Sequence, residues 1–219
     1  MFHLLLLSAI IGGIEAAPVA PSPCTLSNVF SYTQTGTVTF MASGSFNIVD
    51  QKQLIDYDYT RKLQRVIVEA ETKDVLRIIY MDFANKMEYT QQGINGTCRG
   101  VANNATMQPP TILGTATVGP KMVVGKDQKS LVIQYYTYMW EGMRYSVGVN
   151  DDCILVTVEL RQSVPGGFAN LIDFVISDWK NELRTPTAVD IPAKCKKSLF
   201  SNMFTGSHFR GANVKIQMR

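Results

Sequence analysis

The stretch from Leu131 to Arg161 constrains this chain most, because it reads LVIQYYTYMWEGMRYSVGVNDDCILVTVELR and holds three consecutive runs rich in Val, Ile, Tyr and Thr. Such side chains fit a pleated, half-buried surface. Trp140-Glu141-Gly142 separates the first run from Met143 to Val149, and Asn150-Asp151-Asp152 separates the second from Ile154 to Leu160. Both gaps have hairpin length and turn chemistry, so the product is an antiparallel meander. In its last run Ile154, Val156, Val158 and Leu160 share one face, and Leu155, Thr157, Glu159 and Arg161 share the other. That alternation suits a sheet with one buried and one wet side. Cys153 stands where the turn enters this strand, placed to tie the meander to a distant segment.

The chain opens MFHLLLLSAIIGGIEAAP, whose apolar run from Leu4 to Ile14 is too short to span a bilayer and has the length of a secretory signal core. Ala16 and Ala17 are small residues suited to cleavage, so residues 1–17 are expected to be removed and the protein exported; a short membrane anchor is the competing reading. About 200 residues then remain, enough for one all-β domain with a sizeable core. Residues 18–23 form a proline-rich leader, residues 24–195 the domain, and residues 196–219 a basic tail expected to be disordered. The tail carries Lys196, Lys197, Arg210, Lys215 and Arg219 without an acid, and accounts for the formal charge of +3. From residue 18 to residue 195 there are 16 basic and 17 acidic residues. A body so balanced argues against nucleic acid as a partner, since phosphate binding needs clustered basic charge. The tail, with its apolar Leu199, Phe200 and Phe204, could still meet an anionic surface.

Cys24, Cys98, Cys153 and Cys195 are even in number, widely spaced and behind a signal, which reads as two disulfides. Spacing leaves three connectivities open. Zinc is disfavoured, because there is no Cys-x-x-Cys pair and His208 is the one histidine beyond the signal.

Strand-like runs also occupy Val29 to Val49, Leu54 to Tyr59, Leu63 to Ala70, Leu76 to Phe83 and Met87 to Thr90, joined by polar corners. Gln91 to Gly119, rich in Gly, Asn, Thr and Pro, reads as a long surface excursion. It contains two N-glycosylation sequons, at Asn95 and Asn104. Phe168 to Trp179 fits a helical stripe and a strand almost equally; a strand to Asp173 followed by a short helical turn is expected. Pro186 and Pro192 call for an extended approach to Cys195.

Distributed features resemble the ependymin-related proteins: Pro23-Cys24, Asp58 leading into LQRVIV, IIYMDFANKMEYTQQGINGTC ending at Cys98, YSVGVNDDC ending at Cys153, and FVISDWKNELRTPTAVDIPAKC ending at Cys195. The likeness covers Cys24 to Cys195. It implies two stacked, curved antiparallel sheets enclosing an apolar pocket, with disulfides joining Cys24 to Cys153 and Cys98 to Cys195. It also implies a secreted or lysosomal glycoprotein that binds calcium, matrix components or lipids. The family pattern does not account for the basic tail.

Catalytic groups are scarce. His3 leaves with the signal and His208 lies in the tail, so a histidine-based triad within the domain is excluded, and the cysteines are claimed by disulfides. Asp56 and Asp58 share a strand face as an acid/base pair would, but a solvated or turn-bonded face near Arg61 is the plainer reading. The glycines form no phosphate-binding motif. Asn150-Asp151-Asp152 offers hard oxygen ligands without the spacing of a dedicated calcium loop. Tyr135, Tyr136, Tyr138, Trp140 and Tyr145 either line a pocket or pack a core. The expectation is a binder, not an enzyme, that holds a lipid or similar amphiphile between sheets. The alternative is a matrix or adhesion protein using its outer face, its glycans and association as a homodimer.

Overall fold

In the computed structural model, which describes residues 24–42, 45–70, 76–125, 130–164 and 167–197, the alternating runs become eleven antiparallel strands. They are β1 (Val29–Ala42), β2 (Ser45–Asp58), β3 (Leu63–Ala70), β4 (Leu76–Asp82), β5 (Met87–Gln92), β6 (Cys98–Ala102), β7 (Thr117–Val124), β8 (Leu131–Trp140), β9 (Met143–Val149), β10 (Leu155–Val164) and β11 (Gly167–Lys180). Among the described residues a single short helix, α1 (Ala193–Lys197), follows. The all-β expectation holds. The expected division into two sheets does not, because the hydrogen-bonded order β6-β5-β4-β3-β2-β1-β11-β10-β9-β8-β7 is continuous. Pairing of β1 with β11, far apart in sequence, joins the two meanders, for example Thr35 opposite Val175 and Gly36 opposite Phe174.

The joined sheet curls. Tyr57 on β2 donates its hydroxyl to the carbonyl oxygen of Gln108, and Gln108 Nε2 donates to the Tyr138 hydroxyl on β8. These strands stand five places apart, about 24 Å in a flat sheet at ~4.8 Å per strand. One glutamine cannot bridge upright side chains at that distance, so the sheet wraps around the segment carrying it. On this concave face lie Phe30 and Tyr32 of β1, Ile55 and Tyr57 of β2, Phe174 and Ile176 of β11, Val147 of β9 and Tyr136 and Tyr138 of β8.

That placement corrects the reading of Gln91 to Gly119 as a surface excursion: Cys98–Ala102 is strand β6, and the part around Met107 to Ile112 turns inward. Met107, Pro110 and Ile112 are buried, Met107 against Phe30 and Tyr57 and Ile112 against Tyr136, Tyr138, Val147 and Val149. Two backbone hydrogen bonds, Leu26 N to Pro110 O and Ile112 N to Cys24 O, both 2.8 Å, stitch this segment to the chain start. The middle of the concavity is therefore filled by the protein's own chain.

Among the described residues, the opposite, outer face is covered on one half only. After β11 the chain turns back as a strap over β2 to β6, packing Ile191 and Cys195 against Ile78, Tyr80 and Tyr89. The helical turn expected after Asp173 is instead strand: β11 runs unbroken to Lys180, with Asp178 at a φ of 52° and an irregular register opposite Ser31 and Thr33. Nor is the approach to Cys195 extended. Residues 185–189 turn, and Pro192 accepts from Cys195 N to open α1, a helix start that proline tolerates. The leader, the signal region and residues 198–219 of the tail lie outside the described residues.

Candidate ligand cleft

The concave face carries a run of stacked aromatic rings. Tyr59 lies 6.4 Å from Tyr57, Tyr57 lies 4.4 Å from Phe30, and Phe30 lies 4.7 Å from Trp179, which in turn faces Tyr32 at 5.6 Å. The interplanar angles run from 9° to 22°. Offset stacks of this kind add to the burial of each ring. At the Tyr59 end Lys62 Nζ sits 3.0 Å from the ring centroid, a cation–π cap. The bend at Asp178 brings Trp179 into the row.

At the Trp179 end lies a cleft of about 460 Å³. Three segments form its walls: Thr25, Leu26 and Ser27 from the chain start, Asp152, Cys153 and Ile154 from the turn after β9, and Trp179 with Asn181 from the end of β11. The Cys24–Cys153 disulfide, with Cα atoms 5.4 Å apart, fastens the first wall to the second. The turn itself is fixed by Asn150, whose Oδ1 accepts from Asp152 N at 3.1 Å and Ile154 N at 2.8 Å. Cys153, at a φ of 59°, completes it. The Trp179 indole N–H is donated to Asn181 Oδ1 at 3.0 Å, which holds the ring.

Burial sets the chemistry of the tyrosines beside this row. Desolvation, reinforced by the neighbouring Tyr145 and Tyr138, drives the Tyr32 phenol far above its ordinary value, and desolvation does the same at Tyr57. Tyr145 is pushed up to about 12 by burial, then by Tyr138 and Glu141. All three stay neutral hydrogen-bonding groups near neutral pH.

Of the residues singled out in the sequence, the cysteines join Cys24 to Cys153 and Cys98 to Cys195, the order implied by the resemblance. Tyr136, Tyr138, Trp140 and Tyr145 pack together in one core cluster on the concave face, while Tyr135 stands on the opposite face. Asp56 and Asp58 are structural: Asp58 accepts from Arg61 N and Nε, and Asp56 holds Arg65 and Arg184. The Asn150 side-chain oxygen is spent on its own turn, and among the described residues no group of three or more His, Cys, Asp or Glu could hold a metal. Asn95 and Asn104 are both exposed, outside the strands. Sequence reasoning missed Leu26, Trp179 and Asn181. The disulfide order, which brings residues 24–27 beside residues 152–154, was an advance signal for Leu26 alone.

No family model matches the chain, and no curated protein matches it. Among solved structures it is similar to a DUF1329 family protein from Desulfovibrio piger ATCC 29098, with a TM-score of 0.32 and 8% identity, over 74% of this chain and 89% of that one.

Proposed function

We propose that this chain is an exported protein that holds an amphiphilic small molecule, such as a fatty acid, in the cleft beside Trp179 and releases it unaltered. The observation that carries the reading is the composition of the cleft walls. Leu26, Ile154 and Trp179 supply apolar surface, and Thr25, Ser27, Asp152 and Asn181 supply polar groups around it. Its volume falls in the range of small-molecule sites. The expected pocket between sheets thus shifts to the end of the concavity, since Met107 to Ile112 fill its middle. Two disulfides support an oxidising, extracellular setting. Their order supports a relation to the ependymin-related proteins, and the exposure of Asn95 and Asn104 supports their use as glycan acceptors.

The second reading, a matrix or adhesion protein, draws on the edge strand β7. There Val118, Met122, Val123 and Val124, with Leu131 of β8 beside them, are exposed by 37 to 65%. Among the described residues β7 pairs with β8 alone, and an apolar strip on such a sheet edge suits a protein partner.

The deciding experiment titrates a fluorescent fatty acid into protein from a eukaryotic host and follows the emission of the fatty-acid probe itself. Saturable micromolar binding, displaced by unlabelled fatty acid and weakened by Trp179→Ala, supports the cleft. Absence of displaceable binding removes the carrier reading, and capture of matrix protein through β7 would put the second in its place.

A further inference from the structure

On the outer face of β9 and β10, away from the cleft, Arg144 and Arg161 stand directly opposite each other, and the next pair with side chains on that face is Ser146 with Glu159. These four side chains line a pocket of about 110 Å³. Like charges directly opposed across a strand pair are destabilising, and core packing demands neither arginine, since both are exposed. Glu159 offsets the repulsion in part, accepting from Arg161 Nε. Among the described residues no hydrogen bond uses the Nη groups of Arg161 or the Arg144 guanidinium.

Among the described residues, the next charged neighbour on this face is Asp173 on β11, which stands opposite Glu159. Burial and the Glu159 charge raise the Asp173 carboxyl, and Arg161 pulls it back. The acids thus crowd one cross-strand row and the arginines crowd the next. Among the described residues, the Arg144 end of the arginine row is left without a counter-charge.

We propose that the Arg144/Arg161 pocket binds a tetrahedral oxyanion, the sulfate or phosphate group of a monoester, with the Ser146 hydroxyl as a third donor. Planar guanidinium forks match two oxygens of such a group at once. Glu159 accepts from Arg161 Nε, which leaves the Nη edge of Arg161 for the ligand. The pocket has the room of roughly three or four waters, enough for a four-oxygen head and too little for the ester's remainder, which would lie outside on the open face of the sheet. The repulsion between the arginines is then relieved when the anion arrives.

The test measures melting temperature against sodium sulfate, sodium phosphate and a monosulfated disaccharide, each compared with sodium chloride at matched ionic strength so that screening cancels. Sulfate also stabilises proteins generally by exclusion, but that rise does not saturate. The expected result is a saturable rise for all three ligands. Arg144→Gln should abolish it while melting higher than the parent in chloride, because the opposed charges are gone. Arg144→Lys, which keeps the charge without the fork, should weaken binding about tenfold. Identical sulfate and chloride curves in the parent would overturn the site, as would a saturable rise that survives in Arg144→Gln. Inorganic ions acting without the disaccharide would overturn the monoester assignment.

Discussion

Arg184 Nη1 lies 3.3 Å from Oδ1 of Asp56, and the Arg184 backbone N–H donates to the same oxygen at 3.2 Å. Asp56 is completely buried, and its other oxygen takes Arg65 Nη2 at 2.6 Å. One carboxylate thus ties β3 and the returning strap to β2. Arg184 adds hydrogen bonds to the carbonyl oxygens of Ile55 and Tyr32, so the strap is pinned to the backbone of two strands as well.

Removing that carboxylate leaves two partly buried guanidinium groups without their counter-charge. Asp56→Ala is expected to cost about 3 to 5 kcal/mol, the cost of breaking a buried ion pair from one side. Asp190→Asn breaks only the half-exposed bond to Arg61 and should cost no more than about 1 kcal/mol. Urea unfolding of both variants checks the contrast.

The strap's second anchor is Cys98–Cys195, which closes a sequence separation of 97 residues. Chain entropy gives roughly 4 to 5 kcal/mol for a loop of that size. Cys98→Ser with Cys195→Ser should lower stability by that order. It should also raise hydrogen exchange in residues 182–197 more than in β8 to β10, which the strap does not cover.

Alkaline pH is expected to unfold the protein in a defined window. A tyrosine with a raised folded-state pKa keeps its proton where the unfolded chain has already lost one. Its contribution is therefore whole below the ordinary value of 10 and is lost as pH rises through the folded value, about 12 for Tyr145. Tyr32 and Tyr57 are shifted the same way. Phenolate absorbance and circular dichroism should change together above pH 10; full ionisation of the tyrosines with the sheet intact would contradict the burial of these rings.

The strands were legible because most keep strict alternation with polar corners, as in Asp58 to Lys62 and Asp82 to Lys86, where each aspartate accepts from the backbone N–H three residues on. What was not legible came from distance. Nothing local tells β1 that β11 is its partner, so one curled sheet and two stacked sheets read alike. In β11 the set Phe168, Leu171, Ile172, Val175, Ile176 and Trp179 satisfies a helical period, yet Val175 is 61% exposed while Phe174 and Ile176 are buried, the alternation of a strand. In the loop, glycine and threonine outweighed the rest, although MQPPTIL from Met107 to Leu113 held the apolar side chains that fill the concavity. The cleft draws on three separate segments, so no motif could announce it.

Gly36 and Gly148 are fixed by contact across the sheet. A Cβ on Gly36 would stand 1.8 Å from the carbonyl oxygen of Asp173, and one on Gly148 would stand 2.5 Å from Thr157 Oγ1 and 2.8 Å from Ile133 Cγ2. Gly148→Ala meets side chains that can move and should cost about 1 to 3 kcal/mol. Gly36→Ala meets backbone at the junction of the two meanders and should cost more. Thermal melts that rank the two the other way would mean that the β1–β11 pairing yields more easily than the side chains around Gly148.

Gln108 is bonded at both ends, to Tyr57 and to Tyr138, from strands that only curvature brings near one another. Gln108→Ala keeps the carbonyl that accepts from Tyr57 and removes the amide that reaches Tyr138. The Tyr138 phenol, itself buried, loses that donor, and the variant should cost about 1 to 3 kcal/mol. Met107→Ala removes the apolar filling beneath the same loop and should cost about 2 to 5 kcal/mol. If Met107 to Ile112 were ordinary surface loop, both substitutions would fall within about 0.5 kcal/mol of the parent. Denaturant midpoints separate the outcomes, and amide exchange at Ile112, whose N–H donates to Cys24 O at 2.8 Å, shows whether the loop has left the concave face.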